Sequence, residues 1–371
     1  MAARRRDAPR VGVVTDSTAC LPDELVAALG GTLAVVPLTV TIDGRSLVEG
    51  EGVTGETVAQ AEENERELST ARPAPARMVE AYEYLAGQGC TEIVSVHAAA
   101  QLSSTVSSAR LAAAESPVPV SVVDSTTMGM AMGFAALAGA RSAVRGEGFA
   151  AVEEVIRSVA TTSRTALYVD SLEPLRRGGR VGRAGALLGS ALSIKPLLRL
   201  EDGVIEPLAR VRTTGKAIER LGRWALAEAR ALGPGPVVCA VHSVTRQDLA
   251  ERLTGLLTES AEKDTDGAEP VTWAEPIVQA PLAAAVTAHI GSGAIGVAVA
   301  RMPEDSSGPT RTGKPTPRDG LIPSWARCAV SELSSTGVMP AHDPELSQQA
   351  LPQAQAAQDG VHSGGLRSVT P

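Results

Sequence analysis

Short apolar runs alternate with longer segments of helical periodicity along the first half of the chain. The runs Val11–Thr15, Glu92–Val96 and Val120–Val123 are each followed by a segment of helix length. This alternation is typical of parallel strands joined by crossover helices. It predicts a mostly parallel α/β domain over residues 11–168, and the Asp43-Gly44 dipeptide predicts a hairpin excursion at the edge of its sheet.

The pattern changes after Tyr168, where a connection rich in glycine and arginine begins. Beyond it, apolar segments flank a turn at Asp202-Gly203, and helical periodicity returns over Gly215–Leu232. A further strand is predicted near Pro270–Trp273. These elements predict a second, mixed α/β domain over residues 169–302, with a sheet that is partly antiparallel because the Asp202-Gly203 turn reverses the chain.

Both ends of the chain lack these patterns. Residues 1–10 have no apolar run of the kind that a secretory signal needs, and no stretch of the chain is apolar over the length of a membrane span. The segment 303–371 holds nine of the 24 prolines without sustained periodicity, so it cannot bury enough apolar surface to offset its ordering entropy. We expect a cytoplasmic protein with a disordered N-terminus, a disordered tail over 303–371 and no transmembrane segment.

Composition and motifs narrow the classes of chemistry. The net charge of −8 speaks against a nucleic-acid partner, and the four cysteines and five histidines lack the paired spacings of metal sites. The segment Gly291–Gly296 matches a dinucleotide-binding pattern, but a helical segment precedes it and an apolar run follows, which is the wrong order. No P-loop is present either, so the sequence predicts no cofactor and no metal. One local basic feature, called here the arginine cluster, comprises Arg176, Arg177, Arg180 and Arg183.

Hydroxyl side chains stand where an anion is favoured. Ser103, Ser104 and Thr105 open a predicted helix, and the free amides and dipole of a helix N-terminus attract a carboxylate. The alternative, which spacing alone favours, is that Ser103 only caps the helix and contributes about 1 kcal/mol. Thr70 has a similar alternative role in shaping the helix that follows it. His289, taken alone, is more often a structural histidine than a ligand contact.

Several short stretches combine hydroxyl, glycine and basic residues in a fixed order. They are Val13–Ala19, Thr70-Ala71-Arg72-Pro73-Ala74, Leu102-Ser103-Ser104-Thr105, Val123-Asp124-Ser125, Leu175–Arg180, Lys195-Pro196, Asp202-Gly203, Val211-Arg212-Thr213 and His289–Gly293. In this order they resemble the DegV family, fatty-acid-binding proteins of bacteria, from Val11 to about Val299. No single stretch is specific, but their order over most of the chain is hard to produce by chance.

The resemblance implies a two-domain α/β fold with the ligand between the domains. It implies that Thr70, Ser103 and His289 hold the carboxylate of a long-chain fatty acid such as palmitate or oleate, with Arg212 near the head group. The alkyl tail would be buried in the first domain. A separate fatty acid kinase catalytic subunit would phosphorylate the bound acid, so the chain itself is expected to be non-catalytic. The arginine cluster is the predicted docking face, against the alternative of solvated arginines.

Two other functions stay open at this point. The first is an enzyme that acts alone, either a small-molecule kinase or a carboxylate-modifying transferase that uses the same cleft. The second is a regulatory protein whose tail 303–371 makes the contacts. Turnover of ATP by the isolated chain separates the first alternative from a binding module, and deletion of the tail tests the second.

Overall fold

The computed structural model describes residues 10–187, 194–262 and 270–304, and its strands fall largely where the apolar runs predict them. Buried strands rich in valine, isoleucine and leucine suit the pleated interior of a sheet. The strands are β1 Val11–Asp16, β2 Leu33–Val36, β3 Thr39–Ile42, β4 Arg45–Val48, β5 Leu68–Ala71, β6 Glu92–His97, β7 Val120–Asp124, β8 Arg164–Tyr168, β9 Lys195–Glu201, β10 Val204–Val211, β11 Val237–Ser243, β12 Val278–Pro281 and β13 Ile295–Arg301.

Helices separate most of these strands, as the longer periodic segments predict. Several helices begin at a residue that supplies a capping oxygen: Thr54 accepts from Thr57 N, and Thr213 accepts from Lys216 N. The helices are α1 Asp23–Ala27, α2 Gly55–Glu63, α3 Pro75–Gly87, α4 Thr105–Ala113, α5 Met130–Val144, α6 Phe149–Thr162, α7 Glu173–Arg177, α8 Thr214–Ala231, α9 Gln247–Glu262 and α10 Ala284–Ile290.

The first half of the chain forms a four-stranded parallel sheet in the order β2-β1-β6-β7, which confirms the predicted parallel α/β architecture. Its two faces are covered differently. Val14 and Ile93 pack with α3 and α4, whereas Val13 and Val94 pack with α5 and α6. Since both faces of the central strands β1 and β6 are buried, their apolar residues do not alternate with exposed polar ones.

The Asp43-Gly44 hairpin is present, but it does not extend the edge of the parallel sheet. Strands β3 and β4 flank the turn and join β5 in a separate three-stranded antiparallel sheet of order β4-β3-β5. Its apolar face, with Val40 and Ile42, packs on α2 and α10. The sequence prediction missed this sheet because β5 is a short strand whose pairing with β3 spans a whole helix.

The remaining strands form a six-stranded mixed sheet in the order β10-β9-β8-β13-β11-β12. The predicted turn at Asp202-Gly203 connects β9 and β10, and only β11 and β12 pair in parallel, which confirms the partly antiparallel character. The strand predicted near Pro270–Trp273 is wrong: Trp273 makes a single bridge to Val237, and β12 begins at Val278.

Helices α5 and α6 lie between the two larger sheets, because their apolar cluster also includes Ala240 of β11 and Ala298 of β13. The opposite face of the mixed sheet is covered by α8 and α9. Strand β8, which the sequence analysis assigned to the first domain, pairs within the mixed sheet. The division into domains 11–168 and 169–302 stays a prediction.

The predicted end segments 1–10 and 303–371 lie outside the described residues, apart from Arg10, Pro303 and Glu304. Within the described ranges, every helix is either too short or too polar to cross a bilayer.

Candidate functional site

Two of the predicted site residues meet directly. Thr70 lies in β5 of the small sheet, and His289 lies in the last turn of α10. Their side chains come within 2.8 Å, Thr70 Oγ1 to His289 Nε2, although 219 positions separate them in the chain. The donor in this hydrogen bond is set by the imidazole tautomer. The structure thus places a hydroxyl and an imidazole side by side, as the family resemblance implies.

The imidazole of His289 is packed closely on its other side. A Cβ atom added at Gly178 would lie 2.4 Å from His289 Nδ1, so no larger residue fits at 178 without displacing the ring. Burial, with a smaller contribution from the charge of Arg180, lowers the pKa of His289 to about 4. The ring is therefore neutral at pH 7 and has one N–H to donate.

Arg180 points inward from the glycine-rich turn that follows α7. It is half-buried, and its Nε donates to the carbonyl of Leu102 at 3.1 Å while its Nη1 donates to the carbonyl of Gly178 at 2.5 Å. The guanidinium of Arg180 is thereby held between Leu102, which precedes Ser103, and Gly178, which packs on His289. The sequence analysis counted Arg180 as part of the arginine cluster. Two other members of that cluster are exposed instead: Arg176 pairs with Glu173, and Arg183 pairs with Glu206.

Ser103 takes part in the turn that begins α4. Its Oγ accepts from the backbone N of Thr105 at 3.3 Å and lies 2.7 Å from Thr105 Oγ1. The side chain of Ser104, the residue directly before the helix, makes no capping hydrogen bond. Ser103 thus has the local role that spacing favoured, and it makes no direct hydrogen bond to Thr70 or His289 among the described residues. Its connection to them runs through Leu102 and Arg180.

Arg212 is not brought to this group. It follows β10, is exposed, and precedes Thr213, which caps α8. Across the part of the chain that the structure describes, it makes no hydrogen bond or ion pair with Thr70, Ser103 or His289. The sequence prediction placed it near the head group by motif order alone, which carries no information on the direction of a side chain.

An apolar cluster with side chains from both halves of the chain lies next to His289. Ile290 and Val286 of α10 and Leu175 of α7 are buried in one cluster, and Leu102 and Met128 from the first half pack against it. The imidazole and hydroxyl pair therefore lies at the border of an apolar cluster, since Ile290 of that cluster directly follows His289.

A second polar cluster contains residue types of a hydrolase but has a different role. Asp16 Oδ2 lies 2.9 Å from His97 Nδ1, and His97 Nε2 lies 2.7 Å from Ser95 Oγ. All three side chains are fully buried, and Ser95 also contacts the hydroxyl of Tyr82. Since each polar atom is satisfied internally, this cluster stabilises the parallel sheet.

The motif Gly291–Gly296 has the context that the sequence indicated, since α10 precedes it and β13 follows. It therefore lacks the strand-to-helix order of a dinucleotide loop. In ranges 10–187, 194–262 and 270–304, His, Cys, Asp and Glu side chains form no group of three or more that could hold a metal ion.

Sequence reasoning missed the residues that support His289. Gly178 packs on the ring and Arg180 lies behind it, while Glu49 and Glu62 bind the backbone at the two ends of α10. Gly178 and Arg180 both lie in the motif Leu175–Arg180, but nothing in the sequence shows that this turn folds back onto α10. The two glutamates belong to no motif.

Comparison with known proteins supports the fold described above. A family model described as "Uncharacterised protein, DegV family" matches residues 10–302. A DegV domain-containing protein of Streptomyces coelicolor is 41% identical over 292 residues, which cover 78% of this chain and 98% of that protein.

Two solved structures share the fold. A fatty-acid-binding DegV family protein from Thermus thermophilus is 29% identical with a TM-score of 0.70, covering 79% of this chain and 100% of that one. DegV from Bacillus subtilis, a fatty acid binding protein, is 26% identical with a TM-score of 0.68 over the same shares of the two chains. With the family model and the Streptomyces relative, these matches show that the chain belongs to the DegV family.

Proposed function

We propose that this chain binds a long-chain fatty acid and presents the carboxylate to a separate kinase. The observation that carries the proposal is the 2.8 Å contact between Thr70 and His289, which joins two distant segments at the border of an apolar region. The related proteins from Thermus thermophilus and Bacillus subtilis bind fatty acids, which supports the same ligand class here.

The head group is held by neutral donors beside one fixed cation. Because the hydroxyl of Thr70 and the neutral imidazole of His289 share one hydrogen bond, the pair has one donor left for a carboxylate oxygen, and a hydrogen bond to a charged acceptor contributes about 1.5–3 kcal/mol. Arg180 supplies the positive charge that offsets the buried anion, since its guanidinium is held between Leu102 and Gly178. In the proposed complex, the hydroxyl of Ser103, which follows Leu102 directly, leaves Thr105 by a rotation about χ1 and donates to the ligand.

The alkyl chain provides most of the binding free energy. Each buried methylene contributes about 0.8 kcal/mol before association costs, so a long chain outweighs the head group. The resemblance implies that the tail is buried in the first half of the chain, from which Leu102, Met128 and Cys20 pack beside Leu175 and Ile290. The head-group donors then fix the orientation of the ligand.

Phosphorylation is assigned to a partner because the chain has no P-loop of its own. A carboxylate held at the border of the apolar region leaves an oxygen available to a phosphoryl donor. Arg177 is the member of the arginine cluster that is exposed without a hydrogen bond or ion pair among the described residues. It is our proposed contact for the acidic surface of the kinase.

Native mass spectrometry and lipid extraction test the ligand. Protein purified from lipid-replete cells should carry a fatty acid, and the double variant Thr70→Ala, Ser103→Ala should be depleted of it. The matched control replaces the exposed neighbouring hydroxyls, Ser69→Ala with Ser104→Ala, and should retain the lipid. Wild-type protein without any acyl ligand would contradict the proposal, and ATP turnover by the isolated chain would favour the stand-alone enzyme.

A further inference from the structure

Helix α10 carries His289 but has little stability of its own. It spans only Ala284–Ile290, and isolated helices of this length are not stable in water. Ala283, which precedes it, has no side-chain oxygen to cap the free amides, and Gly291 ends it in the left-handed region with φ of 85°. The position of the imidazole therefore depends on groups outside the helix.

The N-terminal end is held by the carboxylate of Glu49, which follows β4. Glu49 Oε1 accepts from the backbone N of Ala284, and Glu49 Oε2 accepts from Ser17 Oγ at 2.6 Å. Ser17 is fixed in turn, because its Oγ accepts from Leu38 N at 3.1 Å. A carboxylate at this end also interacts favourably with the helix dipole. Burial raises the pKa of Glu49, since few water molecules reach the carboxyl group.

The C-terminal end is held by a second carboxylate. Glu62, at the end of α2, accepts from the backbone N of Ser292 at 2.9 Å. The two helices pack together, since Val58 and Ala61 of α2 share an apolar cluster with Ala284 and Ala285 of α10. Both glutamates and Thr70 thus come from one continuous stretch, residues 49–70, which contacts α10 at its start, its end and its histidine.

We propose that Glu49 and Glu62 are positioning residues that hold α10 at both ends and thereby fix the imidazole of His289 against Thr70. The hydrogen bonds of the two glutamates go to Ser17 and to the backbone at the ends of α10, and their importance for fatty-acid affinity rests on the function proposed above. Binding groups must be held within about 0.5 Å of their working geometry by supporting contacts. One contact at each end of a two-turn helix supplies this restraint.

The test uses delipidated full-length protein and palmitate labelled with ¹³C at the carboxyl carbon. Glu62→Ala should weaken palmitate binding about tenfold and move the bound carboxyl resonance towards that of free palmitate. Glu62→Gln keeps an acceptor oxygen and should restore both values. Glu63→Ala removes the exposed neighbouring carboxylate on α2 and should match the wild type.

A second variant and a ligand-free measurement complete the test. Glu49→Gln should weaken binding about threefold, because the amide keeps the acceptor but loses the charge at the helix end. In ligand-free Glu62→Ala, the ¹⁵N resonances of the His289 ring should titrate at higher pH than in the wild type, because a released ring is more hydrated.

The outcomes separate the two proposals. If Glu62→Ala and Glu49→Gln bind within about twofold of the wild type, with the wild-type carboxyl resonance and an unmoved His289 titration, the positioning role is overturned. If the wild type binds no palmitate while the His289 titration still moves in Glu62→Ala, the glutamates hold the histidine and the fatty-acid function is wrong.

Discussion

Two histidines of this protein have similarly lowered pKa values but different surroundings. His242 of β11 is 3% exposed, donates from Nδ1 to the carbonyl of Ala280 at 3.1 Å, and accepts from Met130 N through Nε2, also at 3.1 Å. It caps α5 and connects that helix to the mixed sheet. His289 is only half-buried, and its Nε2 is shared with a hydroxyl that has further hydrogen-bonding capacity.

Burial is the main reason why the pKa of each ring falls to about 4, so a lowered pKa does not distinguish a binding histidine from a structural one. The two rings differ instead in how many of their nitrogen atoms already have hydrogen-bond partners. Both nitrogens of His242 are satisfied by the backbone, which leaves nothing for a ligand, whereas His289 and Thr70 together keep a donor free for one.

The largest expected effect comes from removing each ring in turn. His289→Ala should weaken palmitate binding about thirtyfold with little change in stability. His242→Ala should instead lower the free energy of unfolding by about 3 kcal/mol, because it uncaps α5 and leaves a cavity. Calorimetric titration and urea unfolding measure the two quantities. Equal loss of affinity in both variants would break the distinction between the two histidines.

The pH dependence of the free energy of unfolding should also reveal the contribution of His242. Its folded pKa of about 4 is below the usual 6.5, so the unfolded chain binds the extra proton. The stability that the neutral ring contributes is therefore complete above pH 6.5 and is lost as the pH falls towards 4. Between pH 7 and pH 4, urea unfolding should show that wild-type protein loses on the order of 2 kcal/mol more than His242→Gln.

Comparing the two proteins removes the contribution of Glu49, whose raised pKa has the opposite sign and stabilises the fold below its folded pKa. Parallel stability curves for wild type and His242→Gln would show that His242 does not titrate with unfolding.

The smallest expected effect tests the packing on His289. Gly178→Ala would place a Cβ atom 2.4 Å from His289 Nδ1, so the ring must shift from the position in which it contacts Thr70. Palmitate affinity should fall about tenfold, measured by displacement of a fluorescent fatty acid. Gly185→Ala is the control, because its Cβ would meet its nearest atom at an ordinary 3.5 Å. Unchanged affinity in Gly178→Ala would mean that the ring is free to shift without consequence.

Local features of the sequence were sufficient for much of the fold. The runs at Val11–Thr15 and Val120–Val123 form parallel strands, the first of them fully buried, and both Asp-Gly dipeptides form the hairpin turns that they predict. These features depend on residues close together in the chain, and a turn or a buried strand is encoded within a few positions. The prediction of a strand near Trp273 was wrong because an apolar run does not specify a pairing partner.

The candidate site was predicted in part and for a different reason. Motif order selected Thr70 and His289, which the structure brings into contact, but it also selected Arg212, which lies exposed after β10. Motif order gives neither the direction of a side chain nor its neighbours. For the same reason, Arg180 was taken for a surface arginine, although it points inward to Leu102 and Gly178.

The sequence by itself determined the alternation of strands and helices, the family to which the chain belongs and two of the residues at the site. Only the tertiary structure decided that β5 pairs with β3, that the turn at Gly178 folds onto α10, and that Glu49 and Glu62 hold the ends of that helix. Contacts of this kind join residues far apart in the chain. Their free energy comes from packing and burial in the assembled fold, which no local pattern records.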